Sequence, residues 1–422
     1  MERAGLVFRA FSSRNYRLYF IGLSVSVIGS WMQSTAMSWL VYRLTGSAML
    51  LGVIAFLAQV PSLVLTPLAG VLLDRIEKRR VIMWTQVLAM AQAAVLATLV
   101  LTGVIATWHL VVLSLALGMV HAIDAPARQS FVVHLVGRKD LLGNAIALNS
   151  TMFNAARLVG PFVAGILVAS VGEGICFLIN AVSYVAAITS LGMMPAGLGK
   201  PTGPRKHFLH ELHEGFAAAF SFMPLRTLIM HVAFISLVGM SYNVLAPIFA
   251  REVLHGDART FGCLTAGVGC GALCAALFLA SRRTAVGLSS VVAVATGLLG
   301  VSLVVFSQSR VFALSLGAMV VAGFGALATL ASCNTLVQTI VDDRKRGRVM
   351  GIYMMFFLGV APFGSLLMGW LAQTIGAPTT QMLSGLACIA GALAFSTRLP
   401  EMRRLKRPLY IEMGLLQSTN GR

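Results

Sequence analysis

Acidic residues are scarce in this chain. Only 14 of its 422 residues are Asp or Glu, against 32 Lys and Arg, and charge of either sign makes up 11%. A soluble domain carries about a quarter charged residues, so an ordinary water-exposed surface is excluded. The net charge of +18 does not point to nucleic acid as a partner. A phosphate-binding face needs basic residues gathered on one wet surface, and here they sit in short runs between apolar segments. Ligand chemistry is missing as well. Cys176, Cys263, Cys270, Cys274, Cys333 and Cys388 form no C-x-x-C pair and no His/Cys metal spacing, and they read as small packing residues. The absence of a nucleophile motif, of clustered His/Asp ligands and of a phosphate-cradling glycine loop argues against a membrane enzyme. Neither a cofactor nor a metal is expected.

What is abundant is hydrophobicity, at 58% of residues with a mean hydropathy of +0.85. A membrane-crossing helix needs about 20 apolar residues. Apolar stretches predict twelve spans at 17–42, 47–73, 81–102, 109–131, 143–169, 175–194, 226–249, 259–280, 286–307, 311–334, 347–374 and 380–398. The fold class is an all-α polytopic membrane protein. The basic start, MERAGLVFRAFSSRNYR, shows no obvious cleavage site and reads as an amphipathic lead-in to the first span.

Charge orients these spans. With the N-terminus inside, cytoplasmic segments hold 27 of the 32 Lys and Arg, and the outside segments hold Arg43, Arg251, Arg259 and Arg310. That asymmetry places both termini in the cytoplasm and predicts a multi-pass protein of a bacterial inner membrane. The interior break at 195–224 opens with PAGLGKPTGP, a flexible linker. It continues into KHFLHELHEGFAAAF, whose apolar spacing suggests a helix lying along the membrane. The break divides the chain into a six-helix bundle at 1–194, a linker at 195–224, and a second six-helix bundle with a cytoplasmic tail at 225–422. The bundles echo each other: LVGPF at 158–162 answers GVAPF at 359–363, and VGRKDLLG at 136–143 answers VDDRKRG at 341–347. Duplicated halves that meet around a midplane site are a transporter signature.

Between the second and third spans lies GVLLDRIEKRR at 70–80. It resembles the loop motif of the major facilitator superfamily, Gly-x-Leu-x-Asp-Arg-x-Gly-Arg-Arg/Lys, through Gly70, Leu72, Asp74, Arg75, Lys78 and Arg79. It departs at Glu77, where the family has glycine. The fifth-span stretch ALNSTMFNAARLVGPFVAG at 147–165 is similar to the antiporter pattern Gly-x-x-x-Gly-Pro-x-x-Gly-Gly, with Ala156 and Ala164 replacing two glycines. With DAPARQSFV at 124–132, these stretches look most like the exporter branch that includes the enterobactin exporter and macrolide efflux pumps. The resemblance covers essentially the whole chain. It implies alternating access, export of a small amphipathic molecule and exchange against protons. It also implies a latch formed by Gly70, Asp74, Arg75 and Arg79, with Arg128 in the fourth span as the candidate partner of Asp74.

Several residues invite closer reading. Asp124 lies within a span and four residues before Arg128, on the same helix face. It is either half of an intrahelical pair or the proton carrier. Arg157 lies about fourteen residues into the fifth span, roughly 21 Å deep at 1.5 Å per residue. It either contacts an anionic substrate group or pairs with Asp124. Gln33, Gln59, His121, Asn154, Tyr242 and Asn243 complete the candidates for the substrate cavity. They are sparse, so the expected lining is apolar and aromatic, with Trp31 and Phe153 in it. Gly160, Pro161 and Gly165 suit a tightly packed or bending fifth span. The reading is a monomeric secondary transporter whose partners are a small-molecule substrate, protons and membrane lipids. Movement of a lipid or lysophospholipid is the alternative.

Overall fold

The computed structural model describes residues 9–73, 76–198, 208–282, 284–342 and 345–413. Among the described residues there is no strand, and eleven helices are long and apolar enough to cross a membrane. The helix Arg14–Thr45 supplies the twelfth. The first six are α1 (Arg14–Thr45), α2 (Ala48–Leu73), α3 (Lys78–Leu101), α4 (Thr107–Val136), α5 (Lys139–Val171) and α6 (Glu173–Gly192). A shorter helix, α7 (Phe208–Ser221), falls where the surface helix was expected.

The seventh span is broken. It runs as α8 (Met223–Phe234), a π-helical turn at Ile235–Gly239, α9 (Tyr242–Ile248) and a second π-helical turn at Phe249–Val253. This carries helical structure past the expected end at 249 and brings Glu252 into the final turn. The remaining spans are α10 (Ala258–Ala280), α11 (Leu288–Gln308), α12 (Phe312–Ile340), α13 (Arg346–Ile375) and α14 (Ala377–Glu412). The last helix extends fourteen residues beyond the expected boundary at 398, because its amphipathic tail still buries Met402 and Tyr410.

Local chemistry explains the ends. Ser13 caps α1 by accepting from the Tyr16 amide, and Gly46 ends it in the left-handed region at φ 61°. Gly137 closes α4 in the same way at φ 63°. Inside α4, Pro126 cannot donate to the carbonyl of Ala122, and the Thr66 hydroxyl donates to that oxygen instead at 3.2 Å.

The chain divides into two compact units, Met1–Pro204 with Ala246–Gly269, and Arg205–Leu245 with Cys270–Arg422. In the first, α1 packs on α5 and α6, α2 on α4, and α3 on α4 and α6. The stretch 246–269 joins this unit through close backbone approaches. A Cβ on Gly262 would lie 2.7 Å from Gly165 Cα, and one on Gly269 would lie 2.8 Å from Leu158 Cα. In the second unit α11 packs on α12 and α14, repeating the way α3 meets α4 and α6. The sequence echo also has a structural counterpart. Pro161 and Pro362 sit inside α5 and α13. Beside each, a glycine presses on the first span of its own unit, Gly160 against Trp31 and Gly364 against the carbonyl of Leu237.

Candidate functional site

The first unit contains a cavity of about 800 Å³, lined from three helices. From α1 come Tyr19, Trp31 and Ser34, from α4 His121, Asp124 and Arg128, and from α5 Asn149 and Phe153. Trp31 and Phe153 therefore lie where the sequence suggested, and most of the remaining wall is aliphatic.

Asp124 is the charged centre of this wall. Its residue is 5% exposed, and both carboxylate oxygens are engaged. Oδ1 accepts from the Thr85 hydroxyl at 2.6 Å and from Gln86 Nε2 at 3.1 Å, both on α3. Oδ2 lies 2.5 Å from Arg128 Nε, one turn along α4. The Nε–H is not aligned on that oxygen, so the contact is an ion pair without a formed hydrogen bond. The support continues outward, because Gln86 Oε1 accepts from Ser26 on α1 at 3.2 Å.

The Thr85 hydroxyl has two acceptors in reach, Asp124 Oδ1 at 2.6 Å and the Ile82 carbonyl at 2.8 Å, and one proton to give. With Asp124 ionised, that proton serves the carboxylate. With Asp124 protonated, the acid donates to the Thr85 oxygen and Thr85 turns to Ile82. The Thr85 hydroxyl thus keeps a partner in both states, whereas Arg128 keeps its ion pair only in the first.

The other candidates separate. His121 is exposed on the cavity wall, one turn before Asp124. Arg157 stands over the Trp31 ring, its guanidinium carbon 5.7 Å from the ring centroid. Asn154 donates to the carbonyl of Ser150, and the exposed Gln59 donates to that of Ala55, so each side chain bonds to its own helix. Gln33 is only 2% exposed and does not line this cavity. It donates to Gln92 at 2.8 Å and accepts from Asn180 at 2.7 Å, joining α1, α3 and α6. In the second unit, Tyr242 is buried with its hydroxyl 3.6 Å from the Met240 sulfur, and Asn243 is exposed with its amide 3.4 Å from the same atom.

Gly70 lies in α2, while Asp74 and Arg75 lie outside the described residues. Arg79 reaches the C-terminus of α6, donating to the carbonyls of Leu191 at 2.7 Å and Gly192 at 3.1 Å. Glu77 precedes α3, accepts from the Gly197 amide at 2.9 Å and pairs with Arg80 at 3.0 Å. Gly160 admits Trp31, since a Cβ there would lie 2.5 Å from Trp31 Cβ; Gly165 admits the backbone of Ala258 and Gly262 in the same way. Pro161 is enclosed in α5 between them.

Two acidic contacts went unread in the sequence. Glu173 pairs with Arg43 at 2.7 Å, and Glu252 accepts from the Tyr42 hydroxyl. Their scarcity was the available signal, since every carboxylate in so apolar a chain has to find a partner or water. All six cysteines are free, and no group of three metal-ligating side chains occurs among the described residues.

Comparison with known proteins agrees with this architecture. The chain is 25% identical to the staphyloferrin A transporter of Staphylococcus aureus over 394 residues, which cover 90% of this chain and 95% of that protein. It is 27% identical to the enterobactin exporter EntS of Citrobacter koseri over 399 residues, covering 93% and 90%. Macrolide efflux protein A of Streptococcus pyogenes is 23% identical over 393 residues, covering 89% and 95%. Among solved structures, a bacterial homologue of the iron transporter ferroportin in an inward-facing state superposes with a TM-score of 0.70 at 18% identity, over 91% of this chain and 98% of that one. The nucleoside transporter NupG gives 0.71 at 12% identity, over 91% and 98%. The model of the transmembrane secretion effector family matches residues 7–410, so the chain belongs to that family and is a multi-pass membrane transporter of the major facilitator superfamily.

Proposed function

We propose that this transporter exports a small amphipathic molecule from the cytoplasm of a bacterium, by alternating access and in exchange for protons. The observation that carries the reading is the setting of Asp124. It is a buried carboxylate on the wall of a largely apolar cavity, with a hydroxyl beside it that serves either protonation state. A proton carrier has to be stable both charged and neutral while the site changes its exposure. Arg128, which also lines the cavity, is the partner that gains or loses this carboxylate as the proton is exchanged. Export rather than import rests on the activities of the relatives, an enterobactin exporter and efflux pumps among them. The inner membrane, two cytoplasmic termini, a monomeric state and the latch at Asp74 and Arg75 belong to the same proposal.

The test is transport in proteoliposomes under an imposed pH gradient, comparing wild type with Asp124→Asn across a panel of siderophores, macrolides and lysophospholipids. The gradient is expected to drive accumulation in wild type and to have no effect on the variant. A substrate that simply runs down its own gradient, indifferent to pH and to Asp124→Asn, rules out proton coupling through this residue. A response confined to the lysophospholipids would favour the lipid alternative.

A further inference from the structure

We infer that Arg157 and Trp31 form an anion-binding subsite, and that the transported molecule carries a carboxylate-like negative group next to an aromatic or apolar body. The inference rests on the transport reading only in taking the cavity as the place where substrate binds; it does not depend on proton coupling.

Arg157 sits eighteen residues after Lys139 and fourteen before Val171 in α5, about 27 Å and 21 Å from the two helix ends at 1.5 Å per residue. That is the middle of the span, where a bare guanidinium is costly and normally finds a carboxylate. This one does not. Its contact among the described residues is the Trp31 ring, and no carboxylate lies within ion-pair distance. The nearby acid is already committed, since Asp124 gives one oxygen to Thr85 and Gln86 and the other to Arg128. Attraction to an aromatic face is weaker than the cost of burying the charge. The ring therefore orients the cation without neutralising it.

The Trp31 ring links Arg157 to the cavity, whose lining residues do not include the arginine itself. Trp31 lines it, and so does Phe153, one helical turn before Arg157 on the same face of α5. The ring stays in place because Gly160 leaves room for it; any Cβ at 160 would strike Trp31 Cβ. A planar cation held over an aromatic ring, with a second aromatic residue one turn away, is suited to an anionic oxygen on an aromatic framework. The guanidinium meets the oxygens in bidentate fashion and the rings cover the apolar part.

Direct binding tests this without a pH gradient. The full-length protein in lipid nanodiscs is titrated with radiolabelled 2-naphthoate, with its neutral analogue 2-naphthamide and with 2-naphthylmethylammonium, after subtracting uptake by empty nanodiscs. Wild type is expected to bind naphthoate about tenfold or more tighter than the amide, and the cation weakest. Arg157→Gln should bring naphthoate and amide to the same affinity, and Arg157→Lys should keep part of the preference. The inference is overturned if wild type binds naphthoate no tighter than the amide, or binds none of the three. It is equally overturned if the preference survives in a folded Arg157→Gln protein. Should Arg157→Gln fail to fold, the wild-type ratio and the lysine variant decide. Absence of anion preference in wild type alongside intact proton coupling through Asp124 would sink this inference and leave the transport reading standing.

Discussion

Asp124 shows how much one residue's role depends on partners far away in the chain. Its relation to Arg128 was legible, because four residues on one helix are neighbours, and the structure has them 2.5 Å apart. Thr85 and Gln86 were not legible; they arrive from α3 with no periodic signal to mark them. The same blindness put Gln33 on the cavity, although Gln92 and Asn180 hold it inside the bundle. A lone polar residue in an apolar run announces that a partner exists and says nothing about which side it is on. The Thr85 hydroxyl supplies the sharpest prediction at this scale. A hydrogen bond to a charged group contributes about 1.5–3 kcal/mol, equivalent to roughly tenfold to hundredfold. Thr85→Val keeps the side chain's shape and removes the donor. We expect gradient-driven transport in proteoliposomes to fall by about tenfold or more, while counterflow without a pH gradient stays close to wild type. Equal losses in both assays would make Thr85 a packing residue only.

At the scale of elements, the loop before α3 carries more than topology. Composition accounts for its Lys and Arg through the positive-inside rule, and it leaves an acidic residue at Glu77 without a reason. The structure supplies one. Glu77 takes the amide of Gly197, and Arg79 takes the last carbonyls of α6, so both side chains fasten the start of α3 to the point where the chain leaves the first bundle. An arginine at a helix C-terminus also meets the favourable end of the macrodipole. Glycine at position 77, as in the family motif, would offer no acceptor to Gly197. Each contact is expected to stabilise this junction by about 1 kcal/mol. Glu77→Ala and Arg79→Ala should each lower the melting temperature of the detergent-solubilised protein and speed proteolytic cutting near Gly197. Because both act on one junction, the double variant should lose less than the two single losses added together. Additive losses would mean that the two side chains work independently.

At the scale of the whole molecule, the parts that could be read were those encoded as pattern. Twelve apolar stretches, the duplicated LVGPF and GVAPF segments, and the placement of Lys and Arg are properties of the chain itself. What could not be read was how the seventh span and the start of the eighth divide. The linker at 195–224 looks like the boundary, yet residues 246–269 belong with the first unit. They do so through glycine-to-glycine approach at Gly165 and Gly262, stacking of Trp39 on Phe261 at 6.0 Å, and the hydrogen bond from Tyr42 to Glu252. Each of these joins residues 97 or more positions apart, where local pattern has no reach. A cut in the linker therefore separates the first unit from one of its own pieces. A fragment of residues 1–204 lacks the surface that covers Gly165 and Trp39, and it leaves the Tyr42 hydroxyl without its carboxylate. We expect this fragment, expressed alone, to insert into the membrane but to be degraded and to melt lower than it does when co-expressed with 205–422. Gly262→Leu in the partner fragment should remove most of that rescue, because its side chain would meet the α5 backbone at Gly165. If 1–204 is as stable alone as in the pair, the stretch 246–269 is not an integral part of the first unit.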